Sequence, residues 1–315
     1  MKVIVTGGAG FIGSTLVRRL MEKGGTSVEV LDSLITGHER NLDDVRDQVR
    51  LHRVDIRDFA AIAPLIQGAD AVFHLAAIPS VPRSIDEPVP SHEINIDGAF
   101  NVFRAAAEGG VRRVVYAASS SAYGDSEVLP KVETMLPRPK SPYAVQKLVG
   151  EYYASVFTSC FGLETVSLRF FNVYGPRQDP SSPYSGVLSL FMKHALAGTQ
   201  PMIFGDGEQS RDFTYVEDVA DLCIKAAHVP GAAGKMYNAG NGGRFTLNEV
   251  WNTLQKMENL KITPSYGPPR EGDVRHSMAD TAAAVAELGH APRFTIEEGL
   301  KRTLEWYRTE AATVR

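Results

Sequence analysis

An apolar run, Val3-Ile4-Val5, opens directly into Thr6-Gly7-Gly8-Ala9-Gly10-Phe11-Ile12-Gly13, and no other stretch of this chain constrains its folding as much. Without a Cβ at Gly7 and Gly10 a backbone can turn tightly and lie close to a dinucleotide. Gly13 lets a helix pack against the preceding strand, and the N–H groups at the helix start remain for phosphate oxygens. Glycine spacing alone is a weak signal, so the flanks decide. Leu16, Val17 and Leu20 supply the apolar face of a helix, and a second apolar run, Val28 to Leu31, ends in Asp32, about 20 residues after the glycines as the fingerprint requires. An acid at that place accepts hydrogen bonds from a ribose diol and repels a 2′-phosphate. Ser33, Leu34 and Ile35 follow without an arginine, which favours NAD over NADP.

Further apolar runs recur at Val49 to Val54, Ala71 to Leu75, Val114 to Ala118 and Thr165 to Phe170, with helical patterns in most of the gaps. This βα alternation predicts an α/β fold of Rossmann type, a doubly wound parallel sheet with ligands at the carboxyl ends of its strands, where Gly7, Asp32, Asp55, His74 and Ser119 all fall. Past Asn172 the pattern changes to loops rich in Pro, Gly and Ser, then to shorter helices. Thr246-x-x-Glu249 and Thr295-x-x-Glu298 read as capping boxes, the second opening a helix to about Tyr307. The expected division is a cofactor-binding domain over 1–171, with segments of about 212–240 returning to it, and a smaller α+β substrate-binding lobe over 172–315.

Composition narrows the class. The chain has 315 residues, 43% of them hydrophobic, enough for sizeable cores in two lobes. A net charge of −4 without long single-sign runs speaks against a nucleic-acid or membrane-surface protein and suits a soluble enzyme. Two cysteines, Cys160 and Cys223, are too few for a disulfide framework and match no zinc spacing, and the eight histidines are scattered, so no metal is expected. The first strand begins at Lys2, leaving no room for a signal peptide, and no stretch approaches the ~18 apolar residues of a membrane span. The expected location is the cytoplasm.

Chemistry enters with Tyr143-Ala144-Val145-Gln146-Lys147, which follows the helix entrance Ser141-Pro142 and so places a phenol and an ammonium at i and i+4 on one helical face. A tyrosine is a poor base at neutral pH, but a neighbouring lysine and a cationic nicotinamide would both stabilise its phenolate. The run Val114 to Ala118 delivers Ser119-Ser120-Ser121 at its carboxyl end, hydroxyls able to hydrogen-bond a reacting alcohol and relay its proton.

Taken in order, the motifs resemble those of the extended short-chain dehydrogenase/reductase family, specifically its nucleotide-sugar epimerases. The resemblance covers the glycine turn, Asp32 with Gly37 and Asn41, Val54-Asp55-Ile56, His74-Leu75-Ala76-Ala77, Asn95, the serine triplet ahead of Ala122-Tyr123-Gly124, and Tyr143 with Lys147. It continues through Arg169-Phe170-Phe171-Asn172-Val173-Tyr174-Gly175, Gly205-Asp206-Gly207, Arg211-Asp212-Phe213 and Arg270-Glu271-Gly272-Asp273-Val274, almost the whole length. It implies NAD as cofactor, held by Gly7, Gly10, Phe11, Ile12, Gly13, Asp32, Ser33, Gly37, Asp55, Ile56, Leu75, Ala76, Ala77, Asn95, Tyr143, Lys147 and Phe171. Tyr143 would be the base, Lys147 its tuner and a ribose anchor, and Ser119 the hydroxyl partner. A UDP-sugar would be met by Ser80, Arg83, Ser119, Ser120, Ser121, Asn172, Arg211, Arg270, Asp273 and Ser277, with uracil read around Met202 to Phe204 and packed by Val187, Leu188 or Phe191. Guanidiniums suit a pyrophosphate because they can bind it bidentately.

Dehydratases and decarboxylases of this superfamily carry an acid in the strand-end triplet, where this chain has only serines. The resemblance therefore implies 4-epimerisation through a transient 4-keto sugar. In the epimerases a bulky residue after the Arg270-Glu271-Gly272-Asp273 segment walls off the space beside the sugar's C2, and the matching residue here is Ser277. A serine leaves room for an N-acetyl group, so UDP-GlcNAc and UDP-GalNAc are expected substrates beside UDP-Glc and UDP-Gal. The alternatives are a nucleotide-sugar dehydratase or decarboxylase and, last, a non-catalytic NAD-binding regulator. A homodimer is also expected, because helices from about Asp97 to Glu108 and Tyr143 to Phe161 carry surplus apolar residues and family members pair such helices into a four-helix bundle.

Overall fold

Seven parallel strands form the central sheet among the described residues: β1 (Lys2–Thr6), β2 (Ser27–Asp32), β3 (Val49–Arg53), β4 (Ala71–His74), β5 (Arg113–Ser119), β6 (Glu164–Phe170) and, at the edge, Lys235–Ala239. In this computed structural model the described residues are 1–180, 186–269 and 274–313. From β1 the chain winds through β2 to β3 in one direction and through β4, β5 and β6 in the other, with Lys235–Ala239 beyond β6. That reversal leaves a crevice between the carboxyl ends of β1 and β4, the place where open α/β sheets bind ligands.

Alternation along the strands sets the two faces. Val3 and Val5 point into one core with Leu16, Val17 and Leu20 of helix α1 (Phe11–Glu22), whereas Ile4 points into the other. That second core is closed by α2 (Phe59–Ile66), then, past two short helices α3 (Val81–Asp86) and α4 (Pro88–His92), by α5 (Ala99–Glu108) and α6 (Pro142–Phe161) through Ile62, Val102, Phe103 and Phe157. Burial on both faces explains why the strands read as unbroken apolar runs.

Beyond Asn172 a third core gathers Phe191 and Met192 of α7 (Val187–Ala197), Trp251 and Leu254 of α9 (Leu247–Met257) and Leu300 and Leu304 of α11 (Ile296–Thr313). Between them α8 (Val216–His228) lies against α1 on the first face of the sheet, and α10 (Ala282–Leu288) packs near it. Among the described residues three two-stranded ribbons link this half: Asn172–Tyr174 with Phe213–Tyr215, Ser210–Arg211 with Phe245–Thr246, and Met202–Phe204 with Ser265–Gly267. Both capping boxes form. The Thr246 side chain accepts from Glu249 N while the Glu249 carboxylate accepts from Thr246 N at 2.7 Å, and Thr295 with Glu298 repeats the exchange at 3.2 and 3.0 Å.

Some boundaries depart from the sequence reading. The third strand stops at Arg53, one residue short, as Val54 turns to donate to Asp32 O. Residues 93–98 form a π-helical turn feeding α5, so the α-helix begins at Ala99 rather than Asp97. The last helix runs past Tyr307 to Thr313. Among the described residues no helix is long and apolar enough to cross a membrane, and no group of three His, Cys, Asp or Glu side chains is placed to hold a metal.

Candidate active site

A cleft of about 800 Å³ runs along the carboxyl ends of the strands and brings together most of the residues singled out from the sequence. Its floor is the glycine turn. Gly7 has a φ of +72°, and a Cβ there would lie 2.7 Å from Ala76 N; at Gly13 it would lie 2.1 Å from Gly7 O. Gly10 caps α1 without a side-chain hydrogen bond, which leaves the first N–H groups of the helix, at Phe11 and Ile12, facing the groove for an anion. A dinucleotide pyrophosphate fits this cradle.

Asp32 is fixed before any ligand arrives. Its Oδ2 accepts from Ala9 N at 2.9 Å and its Oδ1 from Leu34 N at 2.8 Å. Burial pushes the carboxyl up, and these two N–H donors work against that shift. A Cβ at Gly37 would come within 2.9 Å of both carboxylate oxygens, so a glycine there keeps their remaining lone pairs open. Ser33 and Gly37 line the same end, with Asp55 and Ile56 opposite. The Arg57 guanidinium holds the Asp55 carboxyl below its usual range.

Leu75, Ala76 and Ala77 continue the wall from β4. Asn95 does not line the cleft; it lies behind it, accepting from Ile78 N at 2.8 Å and donating to Ile78 O at 3.1 Å and to Gln146 Oε1 at 2.8 Å. It thereby ties the wall to the helix that carries Lys147. His74 is neutral, its pKa lowered to about 3 by burial, and pairs with Thr6 Oγ1 at 2.8 Å, a core contact rather than a ligand.

The reactive groups meet in the middle. Ser141 caps α6, its Oγ accepting from Ala144 N at 3.2 Å, and Pro142 starts the helix, so Tyr143 and Lys147 emerge one turn apart. Ser119, the last residue of β5, stands beside the Tyr143 phenol and accepts from Ser121 Oγ at 2.8 Å. Burial raises the Tyr143 phenol above its ordinary value, and the Ser119 hydroxyl opposes the rise. Lys147 is 4% exposed, and its Nζ donates to Ala117 O at 2.7 Å. Burial lowers it to about 8, against the pull of the Glu151 carboxylate one turn on. A buried ammonium, a phenol and a hydroxyl relay in one cleft are equipped to remove and return the proton of an alcohol.

The other end of the cleft is bordered by Ser80, Arg83, Ser120, Ser121, Phe171, Asn172, Arg211 and Ser277. Ser277 is set by its N–H, which donates to Ser210 O at 3.0 Å, and Arg211 Nη1 donates to Ser210 O and Arg275 O. Val187, Leu188 and Phe191 do not reach the cleft, because Leu188 and Phe191 pack in the third core and Val187 lies against it. Met202 is 57% exposed, while Phe204 lines a separate cavity of about 670 Å³ with Gln209, Tyr266 and Arg275. Val274 borders both cavities. Arg270 and Asp273 lie outside the described residues.

The family model for NAD dependent epimerases and dehydratases matches residues 3–240. The chain belongs to the NAD-dependent epimerase/dehydratase family. NAD is the cofactor of this family, in keeping with the cradle described above. Over 99% of its length and 100% of the relative's, the chain is 37% identical to a UDP-glucose 4-epimerase of Mycolicibacterium smegmatis. The UDP-glucose 4-epimerase of Thermotoga maritima, solved with UDP-glucose, superposes with a TM-score of 0.94 at 36% identity, covering 99% of this chain and 100% of that one. A UDP-N-acetylglucosamine 4-epimerase of Methanobrevibacter ruminantium in complex with UDP-N-acetylmuramic acid gives 0.93 at 36% identity, with 98% of each chain covered.

This member of the family also lines its cleft with residues that sequence reasoning passed over, among them Lys131 and Arg177. Lys131 arrives through a bridge with Ala279, and Arg177 sits in an irregular loop. Neither carries a local motif of its own.

Proposed function

We propose that the chain is an NAD-dependent 4-epimerase of UDP-sugars, interconverting UDP-GlcNAc with UDP-GalNAc and also UDP-Glc with UDP-Gal. The observation that carries this reading is the convergence of Ser119, Tyr143 and Lys147 in one cleft whose strand-end triplet has hydroxyls and no carboxylate. NAD, when bound, supplies a reversible hydride acceptor beside the sugar. Tyr143 takes the proton of the C4 hydroxyl, Ser119 orients that hydroxyl, and Lys147 favours the phenolate. Asn172 and Arg211 hold the UDP while the sugar turns, and Tyr143 returns the proton on the opposite face. The first part of the chain, 1–171 with the segments of about 212–240 that return to it, serves the cofactor, and the rest of the part from 172 serves the sugar nucleotide.

Incubation with each of the four UDP-sugars and identification of the products tests the reading. Interconversion within each pair, with no net reduction of NAD, is the expected outcome. Release of water or carbon dioxide, or no reaction with any of the four, overturns it.

We further infer a homodimer through α5 and α6. Phe100, Val145, Tyr152 and Val156 stay exposed there, Tyr152 at 59%, although they are large and apolar. Pairing with the same face of a second copy makes a four-helix bundle. Sedimentation equilibrium should return twice the 34.3 kDa of one chain, and Tyr152→Asp with Val156→Asp should return a single chain. A monomeric unsubstituted protein excludes the bundle.

A further inference from the structure

Arg177 occupies a conformation that an arginine rarely adopts. Its φ is +71°, in the left-handed region that favours glycine, so its neighbours hold it there at some cost in free energy. Its side chain is 20% exposed and borders the cleft, and the carboxylate it meets, Asp44, stands 3.8 Å away. Asp44 is already engaged by Arg18, whose Nε donates to its Oδ2 at 2.7 Å. Two guanidiniums therefore share one carboxylate. Burial and the nearby Arg18 both push the Arg177 pKa below its ordinary value, against the pull of Asp44 and Glu310.

The surroundings say which anion is at hand. Arg18 Nη2 donates to Asn41 O at 2.6 Å, and Asn41 Nδ2 donates in turn to Ala9 O at 2.8 Å, inside the glycine turn. His38 N donates to the same Ala9 carbonyl at 3.0 Å, and the His38 ring reaches Asp179 at 3.5 Å. The segment from Arg177 to Asp179 thus crosses from the sugar side of the cleft to the loop that braces the pyrophosphate cradle. Tyr307 of α11 pins it by donating to Gln178 O.

We propose that Arg177 is a pyrophosphate-binding residue, delivered by the sugar half of the chain, whose guanidinium donates to the phosphate oxygens of NAD opposite the N-terminus of α1. A second pyrophosphate, that of the UDP-sugar, has the same chemistry. The cofactor's is favoured because the described contacts of Arg177 and its neighbours lead to α1 and to the 3-10 helix that begins at Glu39. The inference rests on the family cofactor and not on which sugar is turned over.

The test uses the NAD-loaded protein and three variants, Arg177→Met, Arg177→Lys and Arg177→Gly. Exchange of bound NAD for isotopically labelled NAD gives the release rate, and calorimetry with UDP gives the affinity of the substrate side. Loss of a charge-assisted hydrogen bond should speed NAD release about 10- to 100-fold in the Met and Gly variants, with UDP affinity within about twofold of the original. Lysine should restore part of the retention, since it keeps the charge but not the fork. Glycine suits the +71° backbone, so Arg177→Gly stays informative even if the Met variant folds poorly. NAD release within about twofold of the original in Arg177→Gly overturns the proposal. So does a result in which UDP affinity falls and NAD release does not, which assigns the guanidinium to the substrate.

Discussion

Replacing Tyr143 by Phe should lower kcat about 10²- to 10⁴-fold on every UDP-sugar the enzyme accepts, with KM changed little, because general acid–base catalysis of one proton transfer is worth that much. The substitution removes one oxygen and leaves the ring. That oxygen's neighbour is Ser119, which keeps the Ser121 hydroxyl as a donor, so the fold loses about 1 kcal/mol at most. The backbone N–H of Tyr143 still donates to Ser84 Oγ at 3.1 Å, and the cap at Ser141 is untouched. Melting followed by circular dichroism should therefore nearly coincide with the original while turnover collapses. A Phe variant within about tenfold of the original kcat would remove Tyr143 from the proton path and leave Ser119 as the candidate.

The parts of this site that are legible in the sequence are those whose causes are local. A turn where a Cβ would lie 2.7 Å from another backbone needs glycine, and Gly7 stands next to the strand and helix that give it meaning. Tyr143 and Lys147 share a face because a helix repeats every 3.6 residues, whatever surrounds it. The seventh strand illustrates the opposite case. Lys235-Met236-Tyr237-Asn238-Ala239 has no continuous apolar run, since it lies at the sheet edge and its buried Asn238 is satisfied from afar, donating to Lys131 O and Asp280 O and accepting from Tyr123 Oη.

Burial of that kind is a property of contacts 42 to 115 residues away along the chain. The same reason separates Leu188 from the cleft: its apolar side chain fits a uracil pocket or a core equally well on paper, and the packing of α7 on α9 and α11 selects the core. Asn95 is a third example, because its amide was expected at the cofactor and is spent on Ile78 and Gln146. Arg177 was invisible for a simpler reason. An arginine after Gly175-Pro176 in a loop has no periodicity, and its meaning comes only from Arg18 and Asp44 in a different part of the chain.

Ser277→Tyr should selectively lower kcat/KM for UDP-GlcNAc and UDP-GalNAc. Ser277 borders the same cleft as Ser119 and Tyr143, and its main chain is held by the hydrogen bond to Ser210 O, so a larger side chain extends into the cleft rather than moving the backbone aside. On the proposed reading a phenol ring there would take the volume that an N-acetyl group needs, while a sugar bearing a plain hydroxyl would keep room to bind and turn. Overpacking costs of roughly 1 to 3 kcal/mol correspond to about a 5- to 150-fold loss for the acetylated pair. UDP-Glc and UDP-Gal should lose much less, because they present nothing at that place for the ring to displace. Discrimination is a difference between two substrates, so the quantity to measure is the ratio of kcat/KM values before and after the substitution, taken on all four sugars. Equal losses on the acetylated and plain pairs would mean that the tyrosine disturbs the cleft as a whole and that Ser277 does not decide which sugar enters it.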